Sequence, residues 1–323
     1  MTLFAGAGWN TEGLAGVRVE PLEHLGRLEL DVYHIFGIFI PRHLWILRKI
    51  LGKAIVVSPL GQLMAYHLER KATRKSLYLR LVKPLLRRVE WFHVFSGREE
   101  RSVKEHLGNN VLTFEAALGV FPIPAVVAQA EQIVENYNVG LDLLFLGRND
   151  VYQKGIDVLL EGYALARKDG ANARLTIAGQ PWGDSERYIR SLVERYGLSD
   201  KVRVLGAVDE EMKWRLMAGA DYLAFLSRWD GPPRPVREAI AVGTPVIVSA
   251  ETNMGGLVEE YEAGLQVQLT PEKVANAIAR ASANGGLWRR HREGVIRLRE
   301  RLEWSRVARD YIQGYEQVLA LNR

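Results

Sequence analysis

The sequence predicts an α/β protein made of two Rossmann-like, doubly wound domains in tandem. Three observations lead there. From Leu141 to Val248, short apolar runs alternate with amphipathic segments at βα spacing, the pattern of a parallel sheet covered by helices. A weaker alternation of the same kind runs from Leu30 to Phe114. Between them the pattern lapses, with Pro122 and Pro124 ahead of a polar stretch that ends at Gly140. Residues 1–122 therefore form a first domain, 123–140 a linker and 141–303 a second domain, and 304–323 lie in a closing helix.

The elements follow in order. Leu30–Gly37 reads as a buried strand, Leu44–Leu51 as a basic helix and Ala54–Ser58 as a strand closed by Pro59-Leu60-Gly61. A basic amphipathic stretch runs from about Leu68 to Val89; Trp91–Ser96 is a strand, Glu99–Leu107 a helix and Val111–Phe114 a strand. The second domain reads as strands at 141–146, 173–178, 202–205, 222–226 and 246–248, with helices at 155–167, 185–196, 209–219 and 236–242. Trp304–Leu321 is a long helix. In such sheets ligands sit at the carboxyl ends of strands, and a cleft between two domains is the expected site.

Composition narrows the function classes. The 323 residues contain no cysteine, which excludes disulfides and cysteine metal sites. The start, Met1-Thr-Leu-Phe-Ala-Gly-Ala-Gly8, lacks the basic region and long apolar core of a signal peptide. No apolar run nears the ~18 residues of a membrane span, so a cytoplasmic protein is expected. The net charge of +5 is unevenly spread: Pro41–Glu90 carries 12 Lys and Arg against 2 acids. Lys71, Arg74, Lys75, Arg80, Lys83, Arg87 and Arg88 alternate there with leucines and Tyr78. Such a stretch, residues 42–88 at its widest, is either a solvated helix packed on its sheet or a surface for an anionic membrane. No nucleic-acid motif accompanies the charge.

Three loops of the second domain hold residues able to do chemistry. Arg148 and Lys154-Gly155 stand at a helix start, where two cations and free N–H groups suit a diphosphate; read alone they are equally two solvated cations. Gly179 follows a strand directly, allowing close backbone approach to a ligand or an ordinary turn. In Trp229-Asp-Gly-Pro-Pro-Arg-Pro-Val-Arg-Glu238, Asp230 lies in a loop and Glu238 in the first turn of the next helix. These carboxylates can accept hydrogen bonds from vicinal hydroxyls, or the second can simply complement the helix dipole.

Taken together, residues 141–265 resemble the nucleotide-sugar-binding domain of the family-4 retaining glycosyltransferases of the GT-B fold. The matching text is F-L-G-R-N-D-V-Y-Q-K-G-I-D, then A-R-L-T-I-A-G, V-R-V-L-G-A-V and D-G-P-P-R-P-V-R-E-A-I-A-V-G-T-P-V-I-V-S. The C-terminal W-S-R-V-A-R-D-Y-I-Q-G-Y-E fits the helix that in this family crosses back onto the first domain. D-V-Y-H-I-F-G and V-V-S-P-L-G carry a thinner match in the first domain.

The resemblance implies a GT-B glycosyltransferase moving a hexose, with retention, from a UDP- or GDP-linked sugar to a glycan or lipid-linked acceptor. The work would be done at the inner face of a membrane, with no cofactor and no metal. Asp230 and Glu238 become the E-x7-E element, Asp230 toward the transferred sugar and Glu238 toward the ribose. Arg148 and Lys154 hold the diphosphate. Gly179, Gly243 and Thr244 complete the donor side, and His34 is a candidate at the reacting centre.

The sequence also departs from the family. Asp230 is one methylene shorter than the usual glutamate. Pro232-Pro233 replaces Phe-Gly and removes two N–H donors. Leu60 stands where histidine is common. Against the family pattern, about one βα unit is expected to be absent from the first domain, either because the true start lies upstream or because the domain is shortened, and Gly6-Ala-Gly8 does not complete a glycine-rich motif because Thr11 follows. These departures motivate a second expectation, a GT-B protein that binds nucleotide or a partner without transfer; a GT-B nucleotide-sugar epimerase is a third.

Overall fold

The computed structural model describes residues 2–5, 18–21, 25, 29–69, 72–121, 140–283 and 285–321. Residues 122–139, which hold nearly all of the expected linker, lie outside them, as do Gly6, Gly8, Thr11 and Lys71. The chain divides into two units. One holds the residues up to Val94, Glu100–Phe114 and those from Ile312; the other holds Phe95–Glu99 and Glu115–Tyr311.

In the first unit, β1 (Thr2–Ala5) and β2 (Arg18–Pro21) form a parallel two-stranded sheet, Thr2 opposite Arg18 and Ala5 opposite Pro21. A second sheet runs β3 (Tyr33–Phe36), β4 (Ile55–Ser58), β5 (Trp91–Val94), β6 (Leu112–Glu115) in simple chain order. The β3–β4 and β4–β5 pairs are parallel. Strands β4 and β5 are buried at every position, as their near-continuous apolar text requires.

Helix α1 (Pro41–Ile50) opens on a proline, whose missing N–H costs nothing at a helix start, and ends on Arg48 and Lys49, which favour the dipole. The expected single basic stretch is instead two helices, α2 (Ala65–Glu69) and α3 (Ala72–Leu86). Val82 and Leu86 of α3 are buried, whereas Leu77 and Leu81 are 61% and 69% exposed. The leucines thus do not all serve the core. Helix α4 (Gly97–Leu107) precedes β6.

The second unit contains β7 (Leu141–Leu146), α5 (Ile156–Lys168), β8 (Ala173–Ala178), α6 (Ser185–Arg195), β9 (Val202–Gly206), α7 (Glu210–Gly219), β10 (Tyr222–Phe225), α8 (Arg234–Ala241) and β11 (Val246–Ser249). After them come α9 (Gly255–Glu260), β12 (Gly264–Val267), α10 (Pro271–Ala283) and α11 (Gly285–Arg301); α12 (Trp304–Leu321) starts in this unit and belongs to the first from Ile312 on. The six strands are ordered β12-β11-β10-β7-β8-β9, and each neighbouring pair is parallel. Strand order reverses between β7 and β10, the topological switch point where α/β sheets bind ligands. Buried Tyr163, Tyr222, Phe145 and Phe225 anchor the core around these central strands.

Candidate functional site

The loops that leave β7, β8 and β10 are tied together through the main chain. Gly155, just before α5, has φ 61°, and a Cβ there would lie 2.0 Å from the Leu226 carbonyl oxygen. Gly179 has φ 143°, and a Cβ there would lie 1.7 Å from the Gly147 carbonyl oxygen. The close approach at Gly179 is therefore to the neighbouring strand's exit. Buried Asn149 reinforces it: its backbone N–H donates to the Gln180 carbonyl at 2.9 Å and its side-chain amide to the Gly179 carbonyl at 3.2 Å. The side chains above this floor are consequently held on fixed backbone.

Arg148 and Lys154 rise from the β7 exit loop. The Arg148 guanidinium donates to Gln153 Oε1 at 2.9 Å and stacks 4.4 Å from the ring of half-exposed Trp182, in the β8 exit loop. Lys154 is more enclosed. Its ammonium binds Asp230 Oδ2 and lies 5.0 Å above the Phe225 ring. Ser227 Oγ donates to the same Asp230 oxygen at 3.2 Å. The Asp230 backbone is fixed on both sides, its N–H donating to the Glu251 carbonyl and its carbonyl accepting from Asn253.

Glu238 is 2% exposed, and its Oε1 accepts from Lys213 Nζ at 2.8 Å and Arg234 Nε at 2.9 Å. Lys213 comes from α7, where Asp209 caps the helix by accepting from the Met212 N–H at 2.7 Å. The expectation that Glu238 sits in the first turn of its helix is corrected. Helix α8 begins at Arg234, so Glu238 is its fifth residue and the first turn holds no acid. A carboxylate this buried survives through its ion pairs rather than through the dipole.

Two of the three prolines here, Pro233 and Pro235, take helix-start positions, and Pro232 precedes them. Pro233 is the N-cap and Pro235 lies within the first two helical positions. Two of the N–H groups that a helix start can offer to an anion, those at positions 233 and 235, are therefore missing from α8.

Gly243 and Thr244 are not part of this group, a second correction. They join α8 to the amino end of β11, the edge of a parallel sheet opposite the exit loops. Gly243, at φ 79°, turns the chain. Thr244 is fully buried and its hydroxyl donates to the Met217 carbonyl at 2.6 Å.

His34 lies in the first unit, inside a run of hydrogen bonds. Its Nδ1 is 2.7 Å from the Tyr315 hydroxyl and its Nε2 is 2.5 Å from Ser58 Oγ, which in turn meets His93 Nδ1 at 2.7 Å. Burial pushes the His34 imidazole down to about 3, and His93 beside it adds to the effect. The ring is neutral, and both nitrogens are used to tie β3, β4, β5 and α12 together. Leu60, at the β4 exit, holds φ 59°, a left-handed conformation that costs a leucine roughly 1–2 kcal/mol.

Lys213, Trp182, Gln153 and Ser227 were not expected from the sequence. Trp182 carries a weak signal, an aromatic residue two positions beyond the Gly-Gln of a strand exit. Lys213 carries none.

The sequence profile of the Glycosyl transferases group 1 family matches residues 129–297. That is more than half of the chain, which belongs to this family. Over 299 residues it is 28% identical to a phosphatidyl-myo-inositol mannosyltransferase of Mycobacterium leprae, covering 90% of this chain and 74% of that protein. It is 28% identical over 180 residues to an uncharacterised glycosyltransferase of Methanocaldococcus jannaschii, covering 54% of this chain and 44% of that one. Most of the curated relatives are matched over less than half of their length. Among solved structures, Anabaena HepE in complex with UDP and glucose superposes with a TM-score of 0.67 at 18% identity, covering 94% of this chain and 86% of that one. The fold is thus the GT-B arrangement of two parallel-sheet domains.

Proposed function

We propose that the protein is a retaining glycosyltransferase of the family-4 type. It would transfer a hexose from a UDP- or GDP-linked sugar to a glycan or lipid-linked acceptor. One observation carries this reading: the ion pair between Lys154 and Asp230 at the switch point. In a nucleotide sugar the outer phosphate and the sugar are joined by one oxygen, so their ligands must be neighbours. An ammonium for the phosphate touching a carboxylate for the hydroxyls meets that requirement. Arg148 would share the diphosphate and help stabilise the charge that develops on the leaving group. Glu238, locked by Lys213 and Arg234, would present its second oxygen to the ribose. The UDP and glucose bound by Anabaena HepE, and the mannosyl transfer named for the mycobacterial relative, support a nucleotide-sugar donor.

The acceptor side supports a peripheral position on the inner face of a membrane. Among the described residues no helix is long and apolar enough to cross one. Leu77 and Leu81, four residues apart on α3, are exposed, with Arg74, Arg80 and Lys83 on the same helix. On α1 half-exposed Trp45 carries Lys49 at 3.9 Å from its ring. Apolar tips among cations suit an anionic interface.

Calorimetric titration with UDP, GDP, ADP and TDP, followed by NMR of the product anomer, tests the reading. One nucleotide bound selectively, and an anomer retained, is the expected result. Selective binding without transfer to any acceptor would favour the non-transferring alternative, which the proline-blocked start of α8 motivates; an altered nucleotide sugar formed without acceptor would indicate an epimerase.

A further inference from the structure

A cavity of about 440 Å³ opens on the first unit beside α3, within the roughly 300–1,000 Å³ of small-molecule sites. None of its lining residues is among those placed at the donor site. Leu68, Leu79 and Leu107 give it an apolar wall, with Ala72 also lining it. Three cations, Lys75, Arg80 and Lys83, stand in the lining against one acid, Glu69. Lys75 is already engaged, its ammonium bonding the His67 carbonyl and lying 3.1 Å from His67 Nδ1. Arg80 and Lys83, three residues apart on α3 and so neighbours on its surface, have no carboxylate partner among the described residues.

An apolar hollow beside two unmatched cations calls for a ligand of the reverse layout, an apolar chain bearing an anionic head. A bare anion would leave the leucine wall wet, and a neutral amphiphile would leave the cations unmatched. We propose that this cavity seats one phospholipid of an anionic bilayer, with its phosphate at Arg80 and Lys83 and one acyl chain along Leu68, Leu79 and Leu107. The inference deepens the proposed membrane contact and rests on it only for the source of the ligand.

The test uses the full chain and dodecyl phosphate below its micellar concentration, with inorganic phosphate and dodecyl maltoside as controls. Saturable binding of dodecyl phosphate alone is expected, with about tenfold loss in the Arg80→Glu/Lys83→Glu variant, a change of ~1.4 kcal/mol. Ala72→Phe, at an exposed lining position, should block it while thermal unfolding stays as in the unaltered chain. Equal binding of dodecyl maltoside, or dodecyl phosphate binding untouched by Ala72→Phe, would overturn the proposal. So would phosphatidylglycerol vesicles bound no better than phosphatidylcholine ones. Nucleotide titration of the same variants separates the readings: unchanged nucleotide affinity with lost lipid binding supports the cavity alone. Failure of the unaltered chain to bind any nucleotide would remove the donor reading and leave the cavity result standing.

Discussion

Glu238 and Lys213, 25 residues apart, meet at 2.8 Å, with Glu238 almost wholly out of water. Arg234, four residues before Glu238, binds the same oxygen. The pair joins α7 to α8 and leaves Glu238 Oε2 to face other partners. Lys213→Met should therefore do two things. With Arg234 still in place, stability should fall by roughly 1–3 kcal/mol, less than for a buried charge stripped of all partners. Nucleotide affinity should also fall, because Glu238 loses its fixed aim. Urea unfolding and calorimetry measure the two separately; a Lys213→Met protein with unaltered nucleotide affinity would detach this pair from the donor site.

Arg148 should matter to binding more than to folding. It is half-exposed and held by Trp182 and Gln153. Arg148→Ala is expected to weaken nucleotide diphosphate binding roughly ten- to hundredfold, the scale of lost hydrogen bonds to a charged group, with thermal stability nearly unchanged. Trp182→Ala should give a smaller loss of the same kind. Titration with the preferred diphosphate decides, and equal affinity in both variants would exclude Arg148 as its ligand.

Thr244→Val makes the opposite prediction. Thr244 lies at the amino edge of the sheet, bonded to the Met217 carbonyl, so its loss should cost roughly 1–2 kcal/mol of stability. Nucleotide affinity should not move. Reduced affinity at full stability would restore Thr244 to the donor site.

Two histidines set an acid limit. His34 is pushed down to about 3, by burial first and His93 second. In the other unit His291, bonded to the Tyr222 hydroxyl at 2.8 Å, is pushed down to about 4 by burial and then by Arg280. Both rings are neutral when folded, while the unfolded chain takes up protons below about 6.5. Their contribution to stability is complete above pH 6.5 and is lost as pH falls from there toward 4 and 3. Melting temperature followed from pH 7.5 to 4.5 should decline, and His291→Gln should flatten part of that slope. An unchanged slope in His291→Gln would assign the decline to other groups.

Much of the second unit was legible because its strands are short, mostly apolar runs set at regular intervals between amphipathic segments. Leu141–Leu146 and Val246–Ser249 admit little else. Strand β12 escaped because Gly264-Leu-Gln-Val267 opens on glycine and carries a glutamine. That glycine is needed where a Cβ would meet the Val246 carbonyl oxygen. The misplaced turn of Glu238 has a similar root: prolines at the N-cap and in the first turn start a helix rather than delay it, so α8 begins two residues earlier than its apolar text suggests. Gly243-Thr244 sits close to Glu238 in sequence, yet one helix length carries it to the far edge of the sheet. Lys213 was invisible for the plainest reason: a pairing between two helices leaves no mark in local spacing.

The glycine contacts beneath the site have a bearing on how it could be redesigned. Gly155 against Leu226, and Gly179 against Gly147, join three strand exits by main-chain atoms alone. Alanine at either position should cost roughly 2–4 kcal/mol. Arg148, Trp182 and Asp230, by contrast, stand on this chassis without forming it. Libraries that randomise those three while sparing the two glycines should return folded proteins at high frequency, and a change of donor sugar could be sought there without first repairing the scaffold.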